Sequence, residues 1–502
     1  MGIMKDWPAH PAIYEINTWL WLRELGEKYG GPVTLATVPS AEWDRLASLG
    51  FDAVWFMGVW ERSPAGIEIS MRNEGLIADF RRALPDFAAE DNVGSPYCVR
   101  RYEVDERLGG PAGLAAARKQ LAGRGLRVIL DFVPNHVAPD HPWASAHPEY
   151  FVQGNAEDLQ RDPASFFAAG SKVLARGRDP YFPAWPDVLQ LNAFDQGLRA
   201  AAVETVRRIA GQCDGVRCDM AMLMMNDVFE RTWGQRAGAR PAADYWPTLI
   251  PAVRERHPGF RFMAEAYWDL EWALQQQGFD FCYDKKLYDR MEHADAETVR
   301  QHLLADLEYQ HRLVRFLENH DEPRAAATFP PAKARAAAVA ILTLTGAKLL
   351  HEGQFEGRKV RLPVFLARRP AEPADGDLAA FYERLLQEVN RDVFRTGRWR
   401  LCERSGWPDN VSHLNILTWC WELGGERRLV VINFSDAPSQ AMVRPPWDDL
   451  RGRVWRFSDP LSGEAFERDG DGLARHGLFV SLDPWRWHFL RLEQAGAGPA
   501  KP

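Results

Sequence analysis

The sequence predicts an α/β protein: a closed (β/α)₈ (TIM) barrel with a small domain inserted after the third strand and a C-terminal antiparallel β-sandwich. Two observations carry this reading. Short β-branched or aromatic runs alternate eight times with longer helical patterns. Acidic and basic residues recur at the ends of those runs, where a parallel barrel opens onto one shared cleft. Counting strands alone would not separate a closed barrel from a doubly wound sheet. Eight alternations nevertheless fit a closed parallel barrel better than an open sheet.

The elements follow in order. Residues 13–17 read as the first strand, 41–49 as a helix and 53–56 as a buried second strand. A proline opens an Ala/Leu-rich helix at 111–124, and Gly125 leads from it into the third strand at 127–132. Helix 196–210, strand 215–217, helix 245–256 and strand 260–264 continue the rhythm. The second half reads as helix 268–277, strand 279–282, helix 297–308, strand 315–317, helix 332–344, strand 347–350 and helix 378–389.

Two stretches break the alternation. Residues 137–191 are rich in proline and aromatic residues and too long for an ordinary βα loop, so they read as an inserted domain or an ordered lid. From residue 396 the pattern becomes short strands, at 414–421, 428–434, 454–457 and 478–481, separated by Gly, Asp and Pro turns. The expected domains are therefore a barrel over 1–136 and 192–395, an insert over 137–191 and a sandwich over 396–495.

Composition excludes several function classes. The 61 basic and 69 acidic residues leave a formal charge of −8, a modest imbalance that does not draw the chain towards nucleic acid. No apolar run reaches the roughly 20 residues of a membrane helix. Met1 to Trp7 lacks the basic segment and apolar run of a secretory leader. The six cysteines show no CxxC pair and suit free thiols in a reducing, cytoplasmic setting. The 20 tryptophans are expected to fill core and inter-domain space, and some to stack on sugar rings in a cleft.

The chemistry lies in what ends each strand. Asp131 ends the third in Asp131-Phe132-Val133-Pro134-Asn135-His136, Asp219 the fourth in Gly215-Val216-Arg217-Cys218-Asp219, and Glu265 the fifth. His320 and Asp321 follow the seventh in Glu318-Asn319-His320-Asp321. Carboxylates gathered in one cleft are costly, because like charges and burial both oppose ionisation. Glycoside chemistry uses that cost: one carboxylate stays ionised to attack the anomeric carbon while another holds a proton for the leaving oxygen. Arg217 lies two residues before Asp219, hence on the same face of the strand, and favours the ionised nucleophile. The two site histidines belong to different loops and lack metal-ligand spacing, which argues against a metal hydrolase.

These segments resemble the α-amylase family of glycoside hydrolases and transglycosylases, with four signature segments in the family's order. The resemblance runs from Tyr14-Glu15-Ile16 to Gly346-Ala347-Lys348-Leu349-Leu350 and extends to the C-terminal sandwich. It implies that Asp219 is the nucleophile, Glu265 the general acid/base and Asp321 the transition-state stabiliser. It implies further that Asp131 supports the site, that His136 and His320 bind sugar hydroxyls, that Arg217 positions Asp219 and that Tyr97 stacks on the sugar undergoing attack. No cofactor is required, but Asn135 matches a position that often ligates a structural calcium in relatives, and the insert holds Asp140, Asp158 and Asp162 as further oxygen donors. The implied substrate is an α-glucan or α-glucoside, cleaved by hydrolysis or passed to a sugar acceptor.

Three features bear on specificity. Leu223 stands where many relatives carry a basic acceptor-side contact, four residues past the nucleophile. Arg358, Lys359 and Arg361 follow the eighth strand and either bind an anionic substrate group or pair with acids of the insert or the C-terminal domain. Trp60, with Glu61 and Arg62, is a candidate specificity residue after the second strand. A catalytically silent carbohydrate-binding barrel is the alternative from another class, and the presence of all three carboxylates argues against it.

Overall fold

A computed structural model describes residues 6–496. Apart from Asp6 and Trp7, the Met1 to Trp7 segment lies outside the described residues. Eight parallel strands close a barrel: β1 Ala12–Asn17, β2 Ala53–Met57, β3 Arg127–Phe132, β4 Gly215–Cys218, β5 Arg261–Ala264, β6 Phe281–Tyr283, β7 Leu313–Arg315 and β8 Ala347–His351. Each strand pairs with its neighbours in sequence and β8 closes on β1, with Ala12 opposite Lys348 and Ile13 opposite Leu349. Alternation within strands separates two apolar layers. Ile13, Trp55, Ile129, Val314 and Leu349 fill the barrel interior, while Ile16, Val54, Leu130 and Val216 face the surrounding helices.

Three predicted elements shift, each for a local reason. The seventh strand ends at Arg315 instead of starting there, because Leu313 and Val314 are the residues that pair with β6 and Ala347 pairs with Val314. The helix expected over 268–277 shortens to Glu271–Gln276, since Trp268 and Asp269 take left-handed φ values of 64° and 60° that no α-helix accommodates. The helix expected over 297–308 divides into Ala296–His302 and Leu307–His311, the second capped by the Asp306 side chain. The helices Thr18–Tyr29, Pro64–Arg72 and Glu74–Ala83 were not predicted.

Between β3 and the helix Gln196–Ala210 the chain forms two small sheets. His136–Val137 pairs with Leu189–Gln190, bringing the two ends of the excursion together. Beyond them lies a three-stranded antiparallel sheet of Gln153–Gly154, Lys172–Ala175 and Phe166–Ala169. Val137, Phe151, Leu174 and Leu189 give this excursion its own apolar cluster.

Past residue 396 a six-stranded and a three-stranded antiparallel sheet share one core, including Cys402, Leu429, Val443, Phe457 and Val480. Two tryptophans join this sandwich to the barrel. Trp419 and Trp421 donate to the hydroxyl and carbonyl oxygens of Thr343, at the end of helix Pro331–Thr343, at 3.2 and 2.7 Å. Among the described residues no helix is long and apolar enough to cross a membrane.

Candidate active site

The strand ends meet at the barrel's C-terminal mouth around Arg217, which is fully buried. Its Nη1 lies 2.7 Å from Asp219 Oδ1, its Nη2 2.8 Å from Glu265 Oε2 and 3.8 Å from Asp321 Oδ2. One guanidinium thus serves all three candidate carboxylates. It rests against the rings of Trp55, Tyr97 and Tyr283, with its central carbon 5.2–5.7 Å from their centroids. Arg217 and Asp219 reach it together because strand alternation returns to the same face after two residues. Asp219 N donates to Phe132 O and Glu265 N to Cys218 O, so the ends of β3, β4 and β5 hold one another in place.

Met220, directly after Asp219, has φ 41°, a conformation that side-chain-bearing residues adopt at a cost. The turn aims its N–H at Glu265 Oε2, 2.6 Å away. Glu265 Oε1 accepts from the Tyr267 hydroxyl at 2.9 Å. Both oxygens of Glu265 are therefore held, by different partners.

His320 sits between acids. Its Nδ1 is 2.5 Å from Glu15 Oε1, and its Nε2 is 2.6 Å from the Tyr97 hydroxyl and 2.9 Å from Asp321 Oδ2. Burial alone would lower its pKa, but Asp321 and Glu15 outweigh it and push the imidazole up to about 10. His320 is a cation here, and it holds Asp321 down at about 2 against the opposing effect of burial. Glu265 moves the other way: burial, opposed by Arg217 and reinforced by Asp219 and Asp321, raises it to about 7. Burial likewise raises Asp219, with Arg217 opposing. Burial and mutual repulsion thus raise both Asp219 and Glu265, the condition under which such a pair shares a proton.

Asp219, Glu265 and Asp321 line a cavity of about 600 Å³ together with Tyr97 and His136. His136 is pushed down to about 3 by burial and stays neutral. Asp131 lies beneath the cavity, accepting from Trp55 Nε1 at 3.2 Å and Gly58 N at 2.9 Å, so its role here is to brace the barrel mouth.

Trp60 and Arg358, expected to contact substrate, do not line the cavity. Trp60 is buried and donates through Nε1 to Asp131 O, while Glu61 pairs with Arg100. Arg358 turns into its own loop to donate to Glu372 O at 2.6 Å, meeting neither the insert nor the sandwich. Of the basic triplet only Arg361 comes near, donating to Asp321 O at 2.8 Å. Leu223 is core, so the wall beside the nucleophile is Met220.

Several residues were not singled out in the sequence. Glu15 is the lone carboxylate in the buried strand Ala12–Asn17, a signal that could have flagged it. Tyr267 and Asp187 gave no such sign. Asp187 lines the cavity beside Trp185 and Val188, and among the described residues no side chain donates to its carboxylate, which burial raises to about 6. Asn73, Leu76 and Phe365 form the facing wall.

Calcium does not fit at Asn135. The Asn135 side-chain oxygen accepts instead from Gln190 Nε2 at 2.8 Å, as do Asn135 O and Leu191 O at 3.0 Å each. Asp140 accepts from Ser63, and Asp158 pairs with Arg236 and Arg161. Asp162 accepts from Ser165 N. Among the described residues no group of three or more His, Cys, Asp or Glu side chains could hold a metal ion.

A closed parallel barrel with a carboxylate trio at its C-terminal mouth defines the class to which this protein belongs. No family model matches the chain. Over 366 residues, 71% of this chain and 45% of the relative, it is 24% identical to α-amylase MalA of Haloarcula japonica. Over 250 residues, 47% of this chain and 30% of the relative, it is 28% identical to an α-1,4-glucan:maltose-1-phosphate maltosyltransferase of Corynebacterium pseudotuberculosis. The chain spans less than half the length of these curated relatives. The fold matches that of a noncanonic maltogenic α-amylase, AmyB, from Thermotoga neapolitana with a TM-score of 0.69 at 19% identity, covering 96% of this chain and 98% of the other. In sequence the chain is similar to members of the α-amylase superfamily, and it shares the fold of solved α-amylases.

Proposed function

We propose that the protein is a retaining enzyme acting on α-glucosidic bonds of neutral, short α-glucans or α-glucosides, chiefly by hydrolysis. The observation that carries this is the single buried Arg217 shared by Asp219, Glu265 and Asp321 at one cavity. Asp219, kept ionised by Arg217, attacks the anomeric carbon as Glu265 gives its proton to the leaving oxygen. Glu265 then takes a proton from water, whose oxygen displaces Asp219. Asp321, held ionised by the His320 cation, grips sugar hydroxyls as positive charge builds on the ring. Tyr97 and His136 hold the same sugar from the cavity wall.

Names of the relatives support action on α-glucans, and transfer to a sugar acceptor is the second reading, since water and sugar compete for the same intermediate. A phosphorylated donor is disfavoured. The cavity lining carries Asp187, Asp219, Glu265 and Asp321, and no lysine or arginine side chain is among the residues that line it. Its volume, about 600 Å³, and its walls at Trp185, Val188, Leu76 and Phe365 suit a short ligand. The free, buried state of all six cysteines suits a cytoplasmic setting.

NMR of the first product, before mutarotation, tests the double displacement. An α-configured product from an α-linked substrate is expected, and a β-configured one would overturn the role of Asp219. Initial rates on maltotriose and soluble starch test the size preference. Faster turnover of starch with internal cleavage from the first time point would refute it.

A further inference from the structure

We propose that Tyr267 is a positioning residue that assigns the catalytic proton to one oxygen of Glu265 and strengthens that group as an acid. This rests on Glu265 being the acid/base of the proposed function. The two oxygens of Glu265 have different surroundings. Oε2 faces Met220 N–H at 2.6 Å and the Arg217 guanidinium at 2.8 Å, both positive. A proton on Oε2 would point at other protons. Oε1 accepts from the Tyr267 hydroxyl at 2.9 Å, and Tyr267 itself lines the cavity.

The proton is therefore carried on Oε1. With Tyr267 donating into one lone pair of that oxygen, the O–H of the protonated acid leaves along the other direction, into the cavity where the leaving oxygen sits. As the O–H bond of Glu265 breaks and the leaving oxygen takes the proton, Oε1 acquires negative charge. The Tyr267 hydrogen bond strengthens at that moment, because a donor binds a charged acceptor more tightly than a neutral one. In the second half of the cycle Oε1 receives the proton of the incoming water or sugar, and Tyr267 holds the oxygen in the same place.

The chain after Glu265 is shaped to present this hydroxyl. Trp268 and Asp269 both take left-handed backbone conformations, an uncommon pair for residues with side chains. Trp268 packs edge-on against Tyr181 of the insert at 4.9 Å, and Asp269 pairs with Lys286. The turn following the acid/base is thus pinned on both sides, with Tyr267 at its start. Burial, reinforced by Glu265 and Asp321, holds the Tyr267 phenol far above its ordinary range, so it stays a donor. The other charged or titratable groups facing Glu265 are Arg217 and Asp219 from β4, Tyr283 from β6 and Asp321 beyond β7.

The test is the pH profile of kcat/KM for maltose and for an activated nitrophenyl α-glucoside, measured on the wild type, Y267F and E265Q. Without the hydroxyl, Glu265 holds its proton more tightly. The basic limb of Y267F should move up by about one pH unit, as expected for loss of one hydrogen bond to a charged group. Turnover of maltose should fall about 10-fold while the activated glucoside is nearly unaffected. Site-specific 3-fluorotyrosine at position 267 makes a stronger donor and should move the limb down; if Y267F does not fold, this variant decides alone. A limb that stays in place in both variants, or equal loss on both substrates in Y267F, overturns the proposal. E265Q separates the two levels. If it impairs activated and unactivated glucosides equally, the acid/base assignment itself is wrong. If it spares the activated glucoside while the Tyr267 variants leave the limb in place, only the role of Tyr267 is wrong.

Discussion

Converting Gln190 to an acid tests how the neck of the insert is held. In the wild type the amide Nε2 of this fully buried side chain supplies Asn135 Oδ1, Asn135 O and Leu191 O, and Oε1 accepts from Asn135 Nδ2 and Arg178 N at 3.3 Å. Q190E replaces the donor with an oxygen: Asn135 O keeps its bond from Leu191 N, while Asn135 Oδ1 and Leu191 O are left facing the new carboxylate. Each buried acceptor without a donor costs about 1–3 kcal/mol, and an unpaired buried carboxylate adds to that, so a loss of about 3–5 kcal/mol is expected. The same change creates an oxygen cage suited to a hard cation, with water completing the shell. Calcium at 100 times its dissociation constant would restore about 2.7 kcal/mol. The assay is the urea midpoint of both proteins in chelator and in excess calcium. The wild type should be indifferent, and Q190E should be weak in chelator and recover with calcium. A wild-type midpoint that falls on chelation, or a Q190E protein as stable as wild type in chelator, would refute the reasoning.

Three further outcomes are expected. D187N should raise KM for short α-glucosides by about 5–10-fold, the scale of one hydrogen bond, with a smaller change in kcat. Because burial raises Asp187 to about 6, the wild-type KM should climb as pH falls through that value, and the variant should lack the climb. E265Q should be more stable than wild type at pH 8 and no more stable at pH 4. Glu265 is raised from 4.5 to about 7, so the folded state binds its proton more tightly than the unfolded chain, and that stability is lost as pH rises from about 4.5 through about 7, by about 3 kcal/mol in all. Denaturant midpoints at the two pH values check it. R358A should leave kcat/KM on maltooligosaccharides unchanged, since its guanidinium serves Glu372 O and does not line the cavity. A selective loss on a phosphorylated glucoside would restore a binding role.

Much of the barrel and the outline of the site could be read from the sequence because both rest on local rules. Strand alternation alone puts Arg217 and Asp219 on one face, and a parallel barrel sends the residues after β3, β4, β5 and β7 to one mouth. The elements that were misplaced show the limit. Nothing in Tyr267-Trp268-Asp269 announces left-handed backbone, which in the folded chain accompanies contacts of Trp268 with Tyr181 and of Asp269 with Lys286.

Tertiary structure alone decided where each polar side chain finds its partner. Glu15 gains its role from His320, 305 residues away, and Gln190 takes up the oxygens of Asn135, 55 residues away, that would otherwise suit calcium. Arg358 and Trp60 carry the composition of binding residues, yet one satisfies its own loop and the other braces Asp131. Periodicity is a property of neighbouring residues and is written along the chain. Hydrogen bonding and charge pairing within a low-dielectric interior depend on directions and distances of a few ångströms between distant segments, and only the folded molecule sets those.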